Sequence, residues 1–525
     1  MCPPTLAMSS KITYVTLFAD ESIHPAYEKA LSELERELDR THPMYIGGRE
    51  VSAGSTFEKR SPIDTSIVVG RFQKGTAEHA VEALKAARKA FEEWSHTDYK
   101  RRVEVMRRAA DGIEAARFRL AAAITLEAGK NRLEAIAEVY EAIEAMRYYA
   151  NLMEKEQGYV RPMNPGAPGE ETYSVARPYG VWAVISPFNF PLMLGNGMMQ
   201  GALITGNTVV WKPTSEAPLT ALEAYRLYAE AGLPEGALNV VTGPGEAFED
   251  VFVRGADGVA FTGSMDVGMR LYRKIAAESP YPKPMVSEMG SKNPVIVTKH
   301  ADIDKAVEGV VRAAFGYSGQ KCSAASRVYV QDEVRESFVE ALVKRTSTLV
   351  VGDPRRREVF TGPVINRRAQ ESYEKYVADA KNAGKVVYGG RTLRSGGLEK
   401  GYYVEPTIVT GLDEDHYLFK KELFVPILVV GGFRTLDEAL TKANNTQYGL
   451  TAGIMSEDKE EIDRFMDKIE FGVVYANRKG GATTGAWPGA QSFVGWKASG
   501  ATGKGIGGPY YLLSYMREQA RTYVH

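Results

Sequence analysis

The residue best suited to covalent chemistry is Cys322, which follows Gly319, Gln320 and Lys321 and precedes Ser323. A lone intracellular cysteine is a buried small hydrophobe more often than a nucleophile, by roughly two to one. The neighbours of Cys322 are polar or small rather than apolar, and a lysine beside a thiol can lower the thiol pKa. We therefore interpret Cys322 as a candidate nucleophile whose thiolate is favoured by Lys321.

Thiol catalysis needs a base, and the seven histidines lie in helical, terminal or acidic surface contexts. Their positions disfavour a hydrolase built on a Cys/His pair. Glu288 is the alternative base, because it follows an apolar run at 284–286 and enters the turn at 289–291. Open α/β sheets place their ligands at the carboxyl ends of strands. Taken alone, however, such a glutamate is more often a salt-bridged surface residue.

Two segments could contact a nucleotide. Residues 261–268 follow a strand and open a helix, so their amides and the Ser264 hydroxyl could face a phosphate. The segment lacks the GxGxxG pattern, and a turn of this composition is often only a connector. Lys212 comes directly after the apolar run 209–211, and it could place an ammonium near a ribose or simply end a strand.

Short apolar runs alternate with helical segments, which predicts βαβ units around a mostly parallel sheet and two α/β lobes. The predicted strands are 181–185, 208–211, 238–242, 258–262, 285–288, 294–297, 327–330, 426–432, 450–455 and 472–475. The predicted helices are 28–40, 77–94, 101–128, 131–156, 219–231, 266–277 and 302–315. A Pro- and Gly-rich hairpin at 158–175 is predicted to be an arm that pairs with another subunit.

Composition narrows the class of protein. A chain of 525 residues is long enough for two or more domains. The 65 basic and 66 acidic residues give no large field, so nucleic acid and an anionic membrane surface are not expected partners. We find no secretory signal or membrane span, and the two cysteines and scattered histidines favour a cytoplasmic protein without a metal site.

Taken in order along the chain, these segments resemble the aldehyde dehydrogenase family from about Tyr45 to the C-terminus. The resemblance rests on 187–191, 206–213, 261–264, Glu288, 319–322 and 422–426. It implies a Rossmann-like dinucleotide-binding lobe, an α/β catalytic lobe and a β-arm for oligomerisation. The implied domains are an N-terminal extension and helix at 1–44, the dinucleotide-binding domain at 45–156 and 179–290, the catalytic domain at 291–488, and oligomerisation segments at 157–178 and 489–525.

The resemblance also implies a mechanism. Cys322 would attack the aldehyde carbonyl. The Asn189 side-chain amide and the Cys322 N–H would donate hydrogen bonds to the resulting oxyanion. Removing one such donor typically costs roughly 10²–10³-fold in rate. Glu288 would then activate the water that hydrolyses the thioester.

By the same resemblance, Lys212 would take part in catalysis and would also bind the cofactor. The cofactor would be NAD or NADP. The implied cofactor-binding residues are Ser186, Pro187, Phe188, Lys212, Ser215, Gly243, Gly263, Ser264, Gly290, Glu422 and Phe424. Many NAD-preferring members have a glutamate where Ser215 stands. A carboxylate there would repel a 2′-phosphate and serine would not, so NADP is admissible.

Three segments, 42–48, 319–327 and 477–479 followed by 484–486, carry a narrower resemblance. Within the family they are most similar to the 1-pyrroline-5-carboxylate dehydrogenase group, which oxidises L-glutamate γ-semialdehyde to glutamate. The residues that would then hold the substrate are Phe190, Ser323, Gly485, Ala486 and Phe493. The alternatives are another semialdehyde, or a small aliphatic or aromatic aldehyde, oxidised with NADP. An acylating enzyme that uses coenzyme A and a non-catalytic binding protein on the same fold are less favoured, because Cys322, Asn189 and Glu288 are all present. We expect a homo-oligomer, whether dimer, tetramer or larger.

Overall fold

The computed structural model describes residues 20–480 and 487–525, in which helices pack on two large β-sheets. The α-helices of these ranges are α1 Ile23–Glu35, α2 Ala77–Trp94, α3 Tyr99–Ala115, α4 Arg117–Ala128, α5 Arg132–Lys155, α6 Met193–Ile204, α7 Pro218–Glu230, α8 Glu249–Gly255, α9 Met265–Glu278, α10 Ile303–Phe315, α11 Asp332–Thr346, α12 Arg367–Ala383, α13 Tyr417–Lys420, α14 Leu436–Asn444 and α15 Lys459–Lys468.

The strands of the same ranges are β1 Thr41–His42, β2 Met44–Ile46, β3 Arg49–Val51, β4 Thr56–Arg60, β5 Val68–Gln73, β6 Val160–Met163, β7 Glu170–Pro178, β8 Val181–Ser186, β9 Thr208–Pro213, β10 Leu238–Val240, β11 Gly258–Thr262, β12 Met285–Glu288, β13 Asn293–Val297, β14 Ala325–Gln331, β15 Lys385–Tyr388, β16 Thr407–Thr410, β17 Ile427–Phe433, β18 Tyr448–Gly449, β19 Thr451–Met455, β20 Val473–Ala476, β21 Trp496–Lys497 and β22 Met516–Val524.

The first large sheet has the order β12-β11-β8-β9-β10-β2-β3. Strands β12 to β10 in this order run parallel, whereas β2 and β3 are antiparallel to their neighbours. The parallel strands are almost entirely buried, as expected when helices cover both faces. Their carboxyl ends therefore meet at one edge of the sheet.

The second large sheet has the order β15-β16-β17-β14-β13-β19-β20, and only β15 among these strands is antiparallel. Both sheets are thus mainly parallel and built from strand–helix–strand units. The predicted α/β fold class is confirmed. None of the described helices is long and apolar enough to cross a bilayer.

A smaller sheet contains the predicted arm. Strand β7 lies between β6 and β22, and it pairs antiparallel with β22 from Pro178↔Met516 to Glu170↔Val524. The predicted hairpin and strand β22, which lies in the implied oligomerisation segment 489–525, therefore belong to one sheet, although they are far apart in the sequence.

Two helix predictions were wrong in their bounds. The helix predicted at 101–128 is two helices, α3 and α4, which meet at Ala116, where φ is −89° and ψ is 8°. Alanine gives no local signal for a break. The helix predicted at 28–40 is α1, which begins earlier because Ile23 and Tyr27 are buried along with Leu31 and Leu34.

The N-terminus of helix α7 is capped by Glu127, a fully buried residue near the end of α4. The carboxylate accepts from Leu219 N–H at 2.6 Å, from Thr220 N–H at 2.9 Å and from the Thr220 hydroxyl at 2.7 Å. The carboxylate therefore satisfies N–H groups that the first turn of a helix leaves unpaired. Burial raises the pKa of Glu127 to about 7, while the three donors favour the carboxylate.

We expect Glu127→Gln to lower the free energy of unfolding by roughly 1–3 kcal/mol, because its amide nitrogen would leave a buried donor without an acceptor. Chemical denaturation at pH 8 measures this, since the carboxylate form of Glu127 predominates there. The matched control is Glu92→Gln on exposed helix surface, which should change stability by less than about 0.5 kcal/mol. Equal effects of the two variants would contradict the capping role.

Candidate active site

A cleft of about 500 Å³ lies at the carboxyl ends of β8, β9, β11 and β12. This is the edge at which open parallel sheets bind ligands. The predicted site residues that line it are Ser186, Pro187, Phe188, Asn189, Lys212, Gly263, Ser264, Glu288, Gly290, Cys322, Glu422, Phe424 and Phe493. The cleft therefore brings together residues that lie more than 300 positions apart.

Four other predicted site residues are described by the structure but do not line the cleft, namely Ser215, Gly243, Ser323 and Phe190. The Ser215 hydroxyl donates to the Gly243 carbonyl at 3.0 Å, so these two residues are joined to each other. Ser323 is buried directly beside Cys322, and Phe190 is half-buried. The remaining two, Gly485 and Ala486, fall outside the described residues.

The loop that carries Cys322 has an unusual backbone. Tyr317 and Ser318 adopt left-handed conformations, with φ of 49° and 52°, which costs roughly 1–3 kcal/mol for each non-glycine residue. The Ser318 N–H donates to the Thr361 hydroxyl at 2.6 Å, and the Ser318 hydroxyl donates to the Gly362 carbonyl at 2.7 Å. The segment 361–362 thus clamps a strained turn four residues before the nucleophile.

The thiol of Cys322 is strongly desolvated. Burial, together with the nearby carboxylates of Glu422 and Glu288, raises the pKa of the thiol to about 12. The expectation that Lys321 favours the thiolate was wrong. Its ammonium, almost fully buried, instead forms an ion pair with Glu134 at 2.6 Å, because neighbouring loop residues project in different directions.

Glu288 ends β12 and is also buried. Burial raises the pKa of its carboxyl well above the usual value, and the Gly495 N–H opposes this only in part. Among the described residues, its buried Oε2 atom has no hydrogen-bond partner. The common alternative for an isolated glutamate, a salt-bridged surface position, therefore does not apply. A buried carboxyl with a free oxygen in a cleft has the character of an acid–base group.

Glu422 lies against the turn that follows β12. Its carboxylate accepts from the Ser291 N–H at 2.8 Å, and burial raises its pKa to about 7. A Cβ atom at Gly290 would lie only 2.2 Å from the Glu422 carboxylate, so a larger residue here would displace that carboxylate. Phe424 follows with a left-handed φ of 56° and packs edge-on against Phe188, with the ring centroids 5.8 Å apart.

Lys212 and Ser264 supply polar groups at the ends of β9 and β11. Burial lowers the pKa of the Lys212 ammonium to about 8, although the Glu246 carboxylate raises it. Ser264 is the N-cap of α9, and its hydroxyl oxygen accepts from the Val267 N–H at 3.5 Å. A desolvated cation and a helix N-terminus on one cleft are well suited to a phosphate group.

A buried ion pair supports the cleft, and no local signal in the sequence revealed it. Lys130 and Glu138 are fully buried and 2.6 Å apart. Glu138 also accepts from the N–H groups of Leu192 and Met193 at the start of α6, just after the Asn189 loop. The Lys130 ammonium lies 3.6 Å from the centroid of the Phe190 ring. Helix α5 and the connection that precedes it therefore hold the loop that carries Asn189.

Comparisons with known proteins agree with this geometry. The model of the aldehyde dehydrogenase family matches residues 50–520. The chain is 36% identical to the 1-pyrroline-5-carboxylate dehydrogenase of Geobacillus sp. (strain WCH70) and 37% identical to 1-pyrroline-5-carboxylate dehydrogenase 2 of Bacillus subtilis (strain 168), each over 97% of both chains. The crystal structure of 1-pyrroline-5-carboxylate dehydrogenase from Thermus with bound NAD superposes over the full length of both chains, with a TM-score of 0.93 and 34% identity.

The chain therefore belongs to the aldehyde dehydrogenase family. It is an oxidoreductase that acts on aldehydes.

Proposed function

We propose that the chain oxidises L-glutamate γ-semialdehyde, the open-chain form of 1-pyrroline-5-carboxylate, to L-glutamate with NAD or NADP. The observation that carries the proposal is full-length similarity to 1-pyrroline-5-carboxylate dehydrogenases combined with Cys322, Glu288 and Asn189 on one cleft. The two reactive groups and the amide match a reaction that passes through a covalent thioester.

In the first half of the reaction, the Cys322 thiol loses its proton to water, and its sulfur forms a bond to the aldehyde carbon as the carbonyl π bond breaks. The carbonyl oxygen becomes an oxyanion, to which the Asn189 side-chain amide and the Cys322 N–H donate. A bound oxidised dinucleotide would supply the acceptor for the hydride that leaves that carbon. Cys322 then holds the acyl group as a thioester.

In the second half, Glu288 acts as the general base. Its carboxylate takes a proton from water as the water oxygen bonds to the thioester carbon. The carbon–sulfur bond breaks, and the products are the substrate carboxylate and the free Cys322 thiol. The unpaired Oε2 atom of Glu288 is the oxygen available for this proton.

The residues present fit a dinucleotide. Lys212 is a desolvated cation, Ser264 caps a helix that begins at the cleft, and Glu422 offers a carboxylate beside Gly290. We assign Lys212 and Ser264 to the adenosine ribose and pyrophosphate. Glu422 would hold the nicotinamide ribose, and Phe424 would pack near the ring.

A direct comparison of substrates tests the proposal. We expect kcat/KM for glutamate γ-semialdehyde to exceed that for butyraldehyde on the order of 10²-fold or more, because a site built to bind polar groups rejects an analogue without them. Succinic semialdehyde, which keeps a carboxylate and lacks the ammonium, should lie between the two. Equal or higher kcat/KM for butyraldehyde would overturn the substrate and favour the simple-aldehyde alternative.

Cofactor choice is expected to depend on Ser215. The neighbouring carboxylate of Glu216 is bound by Lys59 at 2.7 Å and by Asn366 at 2.8 Å, so its charge is already compensated. Ser215→Glu would add an uncompensated charge and should lower kcat/KM with NADP relative to NAD on the order of 10²-fold, through like-charge repulsion of the 2′-phosphate. Ser215→Gln, which is neutral and equally long, is the control. An equal fall with both cofactors would argue against a ribose at this position.

We also propose a homo-oligomer in the cytoplasm. The sheet of β6, β7 and β22 exposes a group of apolar side chains suited to contact with another subunit, namely Val160, Met163, Tyr523 and Val524. Light scattering checks the assembly, because a mass near the 57.7 kDa of one chain would contradict it. The domain boundaries given above remain predictions.

A further inference from the structure

Asn293 is a buried polar residue outside the residues assigned to the chemistry. It begins β13, five residues after Glu288, and a proline with no backbone N–H follows it. The pairing of β13 with β14 is irregular at this point, because Asn293 is opposite Ala325 whereas Pro294 is opposite Arg327. Irregularities of this kind often redirect side chains next to active sites.

The side chain of Asn293 makes four hydrogen bonds. Its Nδ2 donates to the Cys322 carbonyl at 2.7 Å and to the Ala324 carbonyl at 2.8 Å. Its Oδ1 accepts from the Thr451 N–H at 2.9 Å and from the Ser291 hydroxyl. Carbonyls can only accept and a backbone N–H can only donate, so the orientation of the amide is determined.

The bond to the Cys322 carbonyl fixes a peptide that matters for the nucleophile. In a trans peptide the carbonyl and the following N–H point in opposite directions. When Asn293 holds the Cys322 carbonyl on one side, the Ser323 N–H is directed to the other side. The Ser323 N–H and the N–H of Cys322 itself both lower the pKa of the thiol against the effect of burial.

We propose that Asn293 is a positioning residue for the nucleophile: its amide holds the Cys322–Ser323 peptide so that the Ser323 N–H faces the sulfur and stabilises the thiolate. The inference rests on the proposed function, because it takes Cys322 as the nucleophile. Asn293 lies on β13, which follows Glu288 in the chain, and its side chain bonds to the loop of Cys322. It therefore also connects the segments that carry the two reactive groups.

The test measures the rate of alkylation of Cys322 by iodoacetamide against pH, in the full chain carrying Cys2→Ala so that one thiol remains. Asn293→Ser keeps one donor and Asn293→Ala keeps none. We expect a rise of one unit in the thiol pKa for Asn293→Ala, which lowers the alkylation rate at pH 8 by about tenfold, with Asn293→Ser intermediate.

Asn239 provides a matched control. It is also fully buried, and its Nδ2 donates to two carbonyls, at 2.8 Å to Gly236 and at 3.3 Å to Val209. Asn239→Ala and Asn239→Ser should lose similar stability and keep the alkylation profile of the parent.

An unchanged pH profile in both Asn293 variants would overturn the proposal, as would equal shifts in the Asn239 variants. If Asn293→Ala does not fold, the alkylation profile of Asn293→Ser tests the proposal. If neither variant folds, Asn293 has a structural role and the proposal is wrong. The alkylation rate needs no turnover. It therefore separates this inference from the proposed function, which would fail if Cys322→Ala still oxidised the substrate.

Discussion

Cys322→Ala is expected to abolish aldehyde oxidation, with a fall in kcat on the order of 10⁴-fold or more, because the covalent route then has no nucleophile. Production of NADH or NADPH, followed by absorbance at saturating substrate, measures the loss. The loop of Cys322 is held by bonds from Ser318 and Asn293 rather than by the thiol, so the fold should persist.

The matched control is Cys2→Ala, which replaces the other cysteine of the chain and should leave turnover unchanged. Cofactor binding by Cys322→Ala, measured by titration of protein fluorescence, should stay within a few-fold of the parent. Retention of more than about one per cent of kcat by this variant would contradict a thioester route, given the size of effect expected for a lost nucleophile.

Glu288→Gln is expected to give a burst of one reduced cofactor per active site and then to stall. The amide has nearly the shape of the carboxyl but cannot take a proton from water, so the thioester forms and persists. Steady-state turnover should fall by roughly 10²–10⁴-fold, the range for loss of a general base. Rapid-mixing absorbance measures the burst, and mass spectrometry of the stalled protein should find the acyl group on Cys322. Unchanged steady-state turnover would show that deacylation does not use Glu288.

A comparison of the parent protein with Glu288→Gln also tests the electrostatics of the cleft. Burial raises the pKa of Glu288, so its carboxylate fraction grows as the pH rises through that value. A base works in its deprotonated form. Steady-state turnover of the parent limited by deacylation should therefore increase with pH, and Glu288→Gln should lose this dependence. The burst rate of Glu288→Gln serves as an internal control, because it reports the thiol and not the carboxyl.

Much of the fold follows from local patterns. The predicted bounds of β11, β12 and α2 agree with the structure, and β8 differs by one residue. These elements are short runs rich in apolar residues or a long amphipathic repeat with clear ends, so local spacing suffices. The break between α3 and α4 at Ala116 and the early start of α1 at Ile23 depend on packing, and no local signal marks them.

The chemical identity of the site was also available from the sequence. Cys322 and Glu288 were candidates from their types and neighbours, the resemblance to the aldehyde dehydrogenase family implied the roles of both and of Asn189, and all three line the cleft. Their catalytic roles stay predictions until the variants above are measured.

Only the tertiary structure decided the state of these groups. Lys321 adjoins Cys322 in sequence but pairs with Glu134, whereas Asn293, 29 residues from Cys322, holds its carbonyl. Desolvation raises the pKa of both the thiol and the Glu288 carboxyl. The physical reason is that a residue type specifies which reaction is possible, while the charge it carries depends on the solvent and dipoles that distant segments exclude or supply.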